Sequence, residues 1–170
     1  MNPTIRKMMV EDVPAVVELD QKSFSLPWPE RSFRFELTDN PASRCWVAEL
    51  DGKVVGMIVV WLIIDEAHVA TVATDPEYRR QGIGKRLLSY ALLNLMQEGA
   101  RSSFLEVRES NLPAQEMYRK FGYETSGRRR RYYRDNDEDA ILMSLSSLNA
   151  EQLGVDGGRP APDQEEPNEV

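Results

Sequence analysis

Apolar residues in this chain switch between two spacings, and the switches mark its elements. Thr4–Met8 reads as a short first strand. Asp12–Phe24 then places Val13, Val16, Val17 and Phe24 near helical spacing, with Pro14 tolerated in the first turn. Two prolines in Ser25-Leu26-Pro27-Trp28-Pro29 stop that helix and put Trp28 on a loop. Glu30–Thr38 is a second short helix, ended by Asp39-Asn40-Pro41. Arg44–Leu50 and Lys53–Ile64 are strands joined by Asp51-Gly52, a strong hairpin signal. Ala67–Thr74 is a further strand, closed by the turn Asp75-Pro76. Gly82–Gln97 carries the clearest helical pattern, with Gly99 just beyond its end. Ser103–Val107 returns to strand, and Leu112–Phe121 is a helix with Met117 and Phe121 on one face. Gly122–Tyr133 and Ala140–Leu145 form a last antiparallel pair around Asp135–Asp139. A β-α-β unit in the middle of this order predicts an α/β fold, a mixed sheet with antiparallel strands at one end. No internal repeat interrupts it.

Length and composition fit one domain with a real core. The chain has 170 residues, 41% hydrophobic and 29% charged. Met1–Val10 has no apolar signal-like stretch, and the apolar run Val54–Ile64 is too short to cross a bilayer. Cys45 is the only cysteine, so no disulfide forms within the chain. It reads as a small buried hydrophobe in a reducing cytoplasm. The net charge of −7 is concentrated at one end. From Asn149 onward six acids face one base, which leaves residues 1–148 close to neutral. The domain is therefore expected to span 1–148, followed by an acidic disordered tail over 149–170. A near-neutral body gives no bulk reason to bind nucleic acid, and nothing points to a membrane.

Candidate chemistry concentrates in three places. Arg79-Arg80-Gln81-Gly82-Ile83-Gly84 joins a strand to the strongest helix. Its glycines allow a tight turn and a close backbone approach, so amides at the helix start can hold a diphosphate. It is not a Walker loop, since no Gly-Lys-Ser/Thr follows, and it lacks the third glycine of a dinucleotide fingerprint. Glu106 is a charge inside the apolar strand Phe104-Leu105-Glu106-Val107-Arg108. Such a group is solvated, paired or functional, and its partner is either Arg108 on the same strand face or a residue on a neighbouring strand. Tyr118 lies on the following helix, where half-buried packing is the ordinary role of a tyrosine. Asn111 is placed to cap that helix. One histidine and one cysteine offer no metal-ligand cluster.

Taken together these motifs resemble a known family. Val72-Ala73-Thr74-Asp75-Pro76-Glu77-Tyr78-Arg79-Arg80-Gln81-Gly82-Ile83-Gly84 is similar to the acetyl-CoA segment of GCN5-related N-acetyltransferases (GNAT), with R-x-x-G-x-G matched in full. Leu105-Glu106-Val107-Arg108, Ser110-Asn111, Met117-Tyr118 and Phe121-Gly122-Tyr123 resemble the branch that acetylates N-terminal alanine of ribosomal proteins. So do Pro27-Trp28, Arg131-Tyr132-Tyr133, Glu138-Asp139-Ala140 and Met143. The likeness covers residues 4–146 and implies a GNAT fold of about seven strands and four helices, splayed at the cofactor site.

The resemblance also implies roles. Main-chain groups of Val72, Ala73 and Thr74 would hold the acetyl and pantetheine arm, and amides of Arg80, Gln81, Gly82, Ile83, Gly84 and Lys85 the diphosphate. Asn111 would bond the pantetheine. Glu106 would be general base and Tyr118 general acid, with acetyl-CoA as cosubstrate and no metal. Leu26, Trp28, Tyr132 and Tyr133 would form the groove for a protein N-terminus. An α-amine has a pKa near 8, so at neutral pH a base must remove its proton before attack. A main-chain N–H near Val72–Ala73 would serve the developing oxyanion. Other readings stay open: a lysine or small-amine acetyltransferase, or a non-catalytic acyl-CoA-binding module. Arg128-Arg129-Arg130-Arg131 reads either as contact with RNA or an acidic partner, or as solvated arginines balanced by Asp135, Asp137, Glu138 and Asp139. His68 reads as an ordinary strand residue.

Overall fold

The computed structural model describes residues 2–156. One seven-stranded sheet runs in the order β1-β2-β3-β4-β5-β7-β6. Its strands are β1 (Thr4–Lys7), β2 (Ser43–Leu50), β3 (Lys53–Ile63), β4 (Glu66–Thr74), β5 (Ser102–Arg108), β6 (Glu124–Tyr133) and β7 (Glu138–Leu145). Among the described residues five α-helices flank it: α1 (Val13–Ser23), α2 (Glu30–Thr38), α3 (Ile83–Gln97), α4 (Leu112–Phe121) and α5 (Ala150–Asp156). The expected mixed α/β class, and all seven strands, are therefore present. Asp51 and Gly52 both have positive φ, 50° and 80°, as a tight two-residue hairpin requires.

Both faces of the sheet centre are covered, which explains the unbroken apolar run of β3. Ile58 and Val60 face α3, α4 and α5, in a core with Leu87, Leu92, Leu105, Phe121 and Leu153. Met57 and Val59 face α1 and α2, in a second core with Val13, Val16 and Phe33. Gly56 sits where α3 crosses most closely. A Cβ there would lie 3.0 Å from both the Ile83 Cγ2 and the Leu87 Cδ1.

Among the described residues β4 and β5 are the only parallel neighbours, and they pair briefly. Glu66, Ala67 and His68 match Ser102, Ser103 and Phe104. Beyond His68 the two strands separate, although β4 continues to Thr74 and β5 to Arg108. The expected splay is this gap. A register shift in β3–β4 leaves Ala70 as an extra residue between Val69 and Thr71. Such a bulge bends its strand, here at the point where β4 parts from β5.

Three boundaries differ from the sequence reading. Gly82 precedes α3 in a left-handed conformation (φ 81°) instead of beginning the helix. Gly122, read as strand, is the left-handed C-cap of α4 (φ 105°), and Tyr123 beside it is buried in the core. The expected disordered tail from 149 starts instead with α5. The fold therefore extends past 148: Leu153 is buried, Ser89 Oγ donates to the Leu153 carbonyl at 3.2 Å, and Gln152 Nε2 donates to the Phe121 carbonyl at 3.0 Å. An acidic composition hid one leucine at the right spacing. The remainder of the tail reading, 157–170, lies outside the described residues. Leu153→Ala is expected to cost about 2–5 kcal/mol, the usual penalty for a buried leucine. Urea unfolding measures it, and an unchanged midpoint would mean that α5 does not dock.

Candidate active site

Residues 79–85 form a cradle at the wide end of the β4–β5 gap. The Asp75 side chain accepts from the Glu77 amide at 2.9 Å and shapes the turn out of β4. Arg80 and Gly82 then adopt positive φ, 67° and 81°. The first helical bond of α3 runs from the Arg86 amide to the Gly82 carbonyl at 3.0 Å. The earlier amides of the helix thus point out of its end, and the N-cap residue, Gly82, has no side chain to cap them. Partial positive charge collects there, which suits an anion. A Cβ on Gly84 would lie 3.6 Å from Thr74 Oγ1 and 3.8 Å from Met117 Sδ. The end of β4, the start of α3 and the middle of α4 therefore converge, and Val72, Ala73 and Thr74 border the gap. Asn111 Oδ1 caps α4 through the Ala114 amide at 3.2 Å, which orients its Nδ2 donor for a ligand only as that cap allows.

Glu106 lies on β5 beyond the point where β4 leaves. Leu105 and Val107 point into the core under α3 and α4, so alternation sends Glu106 to the opposite, exposed face. Its partner is not Arg108. Arg129 Nε reaches Glu106 Oε2 at 2.9 Å from β6, across β7. Arg108 turns to Asp135 at 3.0 Å and Glu138 at 3.2 Å.

An irregular stretch of β6 brings two tyrosines to the same place. Arg129 pairs with Ala140, and the next matched residue, Tyr133, pairs with Glu138. Three residues thus stand opposite one. Arg131 takes φ 51°, and its amide donates to Asp139 Oδ1 at 2.9 Å. Arg129 lies 5.7 Å from the centre of the Tyr132 ring, and Arg108 lies 4.0 Å from that of Tyr133. Burial, then a hydrogen bond to Glu106, raises the Tyr132 phenol. Burial, then the charge of Glu106, pushes Tyr133 up to about 12. Tyr118, on α4, is 5% exposed. Burial holds its phenol well above the ordinary tyrosine value, and Tyr133 adds to the effect. Tyr133 therefore stands electrostatically between Glu106 and Tyr118.

The α1–α2 loop closes over this face. Its fixed point is Asp20, whose Oδ2 accepts from the Trp28 amide at 2.7 Å. Ser25 Oγ donates to Asp135 in the β6–β7 turn, and Arg108 supports both. Leu26 is 48% exposed beside this bridge. Trp28 packs on Phe33, with ring centres 5.1 Å apart, and lines a cavity with Trp61. Contact between this loop and the tyrosine hairpin is thus made by Ser25. Arg128 is balanced by Glu109 at 2.9 Å and Asp139 at 2.7 Å. His68 stacks on Phe104 and meets Glu66, as an ordinary strand residue does. Burial pushes the Cys45 thiol up to about 11, so it is no nucleophile at neutral pH.

Comparison with known proteins identifies this arrangement. Residues 13–123 match the acetyltransferase (GNAT) family. The chain belongs to that family. A relative in Bacillus subtilis, provisionally named [ribosomal protein bS18]-alanine N-acetyltransferase, is 42% identical over 82% of this chain and 92% of its own. The Escherichia coli K12 [ribosomal protein bS18]-alanine N-acetyltransferase is 33% identical over 84% of this chain and 96% of its own. The crystal structure of the ribosomal-protein-S18-alanine N-acetyltransferase from Escherichia coli superposes with a TM-score of 0.79, at 33% identity, covering 89% and 97% of the two chains. Ard1 from Thermoplasma volcanium superposes equally well, at 26% identity.

Sequence reasoning missed several supports of this N-acetyltransferase: Asp20 under the loop, the Ser25–Asp135–Arg108 bridge and the Arg129–Glu106 pair. The one available signal was the crowding of Asp135–Asp139 beside a run of arginines. Gly82→Ala is expected to strain the left-handed cap by about 1 kcal/mol. Calorimetry should then show weaker coenzyme A binding, by about fivefold. Wild-type affinity would remove the loop from the cofactor site.

Proposed function

We propose that this enzyme transfers the acetyl group of acetyl-CoA to the α-amine of a protein N-terminus, the N-terminal alanine of ribosomal protein bS18. The observation that carries the reading is the grouping of Glu106, Tyr132 and Tyr133 at the mouth of a gap bordered by an uncapped helix start. Relatives whose names specify this acceptor support it. The cradle suits coenzyme A. Its glycines leave the backbone bare, its outward amides match a diphosphate, and the β4 edge from Val72 to Thr74 can pair with the amide-bearing pantetheine arm. When bound, acetyl-CoA supplies the acetyl thioester. GNAT acetyltransferases share this requirement, and the reaction belongs in the reducing cytoplasm with its ribosomal substrate.

Glu106 takes the proton of the acceptor ammonium, directly or through one water. It is exposed on the acceptor side of the gap, which a base facing a protein substrate requires. Arg129 now fills the position opposite Glu106 that a cationic amine would occupy. Arg129 has a side chain 58% exposed, so it can swing aside as the acceptor enters. Tyr118 holds a proton on its Oη on the cofactor side, for a departing thiolate. Its raised affinity for that proton keeps it an acid throughout the working range. Ser25 and Leu26, with the two hairpin tyrosines, form the walls of the entry for the peptide.

Glu106→Gln is expected to lower kcat about a hundredfold, in the range for loss of a general base, with coenzyme A affinity retained. Unchanged turnover would remove Glu106 from the mechanism. Tyr118→Phe should cost less, about tenfold. The pH–rate profile follows from the two ionisations. Activity rises as pH passes the acceptor pKa of about 8. The Tyr118 phenol is raised, not lowered, so its deprotonation brings no fall below pH 9. A descending limb at pH 8 that disappears in Tyr118→Phe would contradict this assignment. An Ala-initiated bS18 peptide should be acetylated at least about tenfold faster than the same peptide with a blocked N-terminus and a free lysine. The reverse order would favour a lysine acetyltransferase, and no turnover on any amine a binding module.

A further inference from the structure

The cavity shared by Trp28 and Trp61 has a volume of about 340 Å³ and lies between α2 and the end of β3, with Arg31, Ser32, Phe35 and Glu36 completing its lining. Glu36 is only 8% exposed. Both of its hydrogen bonds go to one oxygen: Oε1 accepts from Trp61 Nε1 at 2.7 Å and from Asn40 Nδ2 at 3.1 Å. Both donors are neutral. Among the described residues no lysine or arginine pairs with Glu36. A buried carboxylate is costly without a cationic partner, and the second oxygen, Oε2, accepts no hydrogen bond among the described residues and is not sealed from solvent. Two indoles and a phenyl ring line the same cavity, surfaces that attract cations. Arg31 is at the rim, exposed and in no ion pair among the described residues, so it can yield its place.

This cavity is joined to Glu106 by a continuous strip of side chains. Trp61 pairs directly with His68, and His68 with Phe104, so these three share one face of β3, β4 and β5. The His68 and Phe104 rings stack 5.2 Å apart, which confirms their common face. Glu106 follows Phe104 by two residues on that same face. Two strand spacings and one two-residue step make about 12 Å. An extended peptide covers that distance in three to four residues, at about 3.3 Å each.

We infer that the cavity holds the cationic side chain of a lysine or arginine located three to four residues after the acetylated N-terminus of the acceptor, with Glu36 as its counter-ion and Trp28, Trp61 and Phe35 as its walls. The strip of His68 and Phe104 lies beneath the intervening backbone. This rests on the reading of the acceptor as a protein N-terminus, and it adds a sequence requirement beyond the first residue.

The test uses octapeptides beginning with alanine, each carrying one lysine at a position from two to seven and glutamine elsewhere. Lysine at the fourth or fifth residue should lower KM about tenfold against the all-glutamine peptide, with kcat unchanged. A tenfold change corresponds to about 1.4 kcal/mol. Glu36→Gln should bring that ratio to about one. Phe35→Lys, at a half-exposed position that tolerates change, should do the same by placing an ammonium of the chain itself in the cavity. Equal KM at every lysine position, or a preference that survives both variants, would overturn the proposal. If none of the peptides is acetylated, the acceptor reading fails by itself. Quenching of indole fluorescence by the lysine peptide then decides: saturable binding lost in Glu36→Gln supports the cavity, and no difference from the glutamine peptide overturns it.

Discussion

The separation of β4 from β5 is the constraint on which the rest of the molecule depends. Two parallel strands that stayed paired to their ends would satisfy each other's main chain and leave no opening. Here three residue pairs hold the strands together at one end, and the bulge at Ala70 turns β4 away. The consequences are both chemical and geometric. The edge of β4 from Val72 to Thr74 is left to pair with something other than protein. The gap also joins the two faces of the sheet, so Tyr118 under one face and Glu106 on the other can serve a common point.

Packing keeps the gap open. α3 is held close over β3 because Gly56 has no side chain to meet Ile83 and Leu87. That closeness sets its uncapped N-terminus at the wide end of the gap. α4 is fixed beside it by the Asn111 cap, by Phe121 in the core and by the bond from α5 to the Phe121 carbonyl. On the other face, α1 and α2 pack over β2, β3 and β4, and Glu106 on β5 stays exposed. One side of the gap is thus rigid and dipolar, as cofactor binding requires, and the other is open, as a protein acceptor requires. The open side is lined by a charge network, Arg108 with Asp135 and Glu138, and Arg129 with Glu106, that orders two tyrosines without burying them fully.

Most of this was legible where chemistry is local. Asp51-Gly52, Pro27 to Pro29, Gly82 and Asn111 act through their own backbone, and each marks its turn or cap in the sequence. Glu106 was conspicuous because a charge in an apolar strand needs a reason. What could not be read depends on register. Arg108 looked like the neighbour of Glu106 because both lie on one strand face. The actual partner, Arg129, is brought across β7 by a strand order that no local pattern encodes. The irregular stretch from Arg130 to Tyr132 is invisible for the same reason, since four arginines in a row look like any solvated strand. The start of the acidic tail was misread because composition averages over residues, whereas docking of α5 turns on Leu153 alone.

In the proposed function the open edge of β4 and the start of α3 are one binding surface for coenzyme A. Hydrogen exchange of the full chain, with and without coenzyme A, addresses that directly. Amides at 72 and 74, which alternation turns away from β3 and toward the gap, and those at 82–85 should exchange quickly in the empty protein and slow together on binding, while those of β1 and β2 do not change. Protection that appears in one of these two segments without the other, or in neither, would contradict the account.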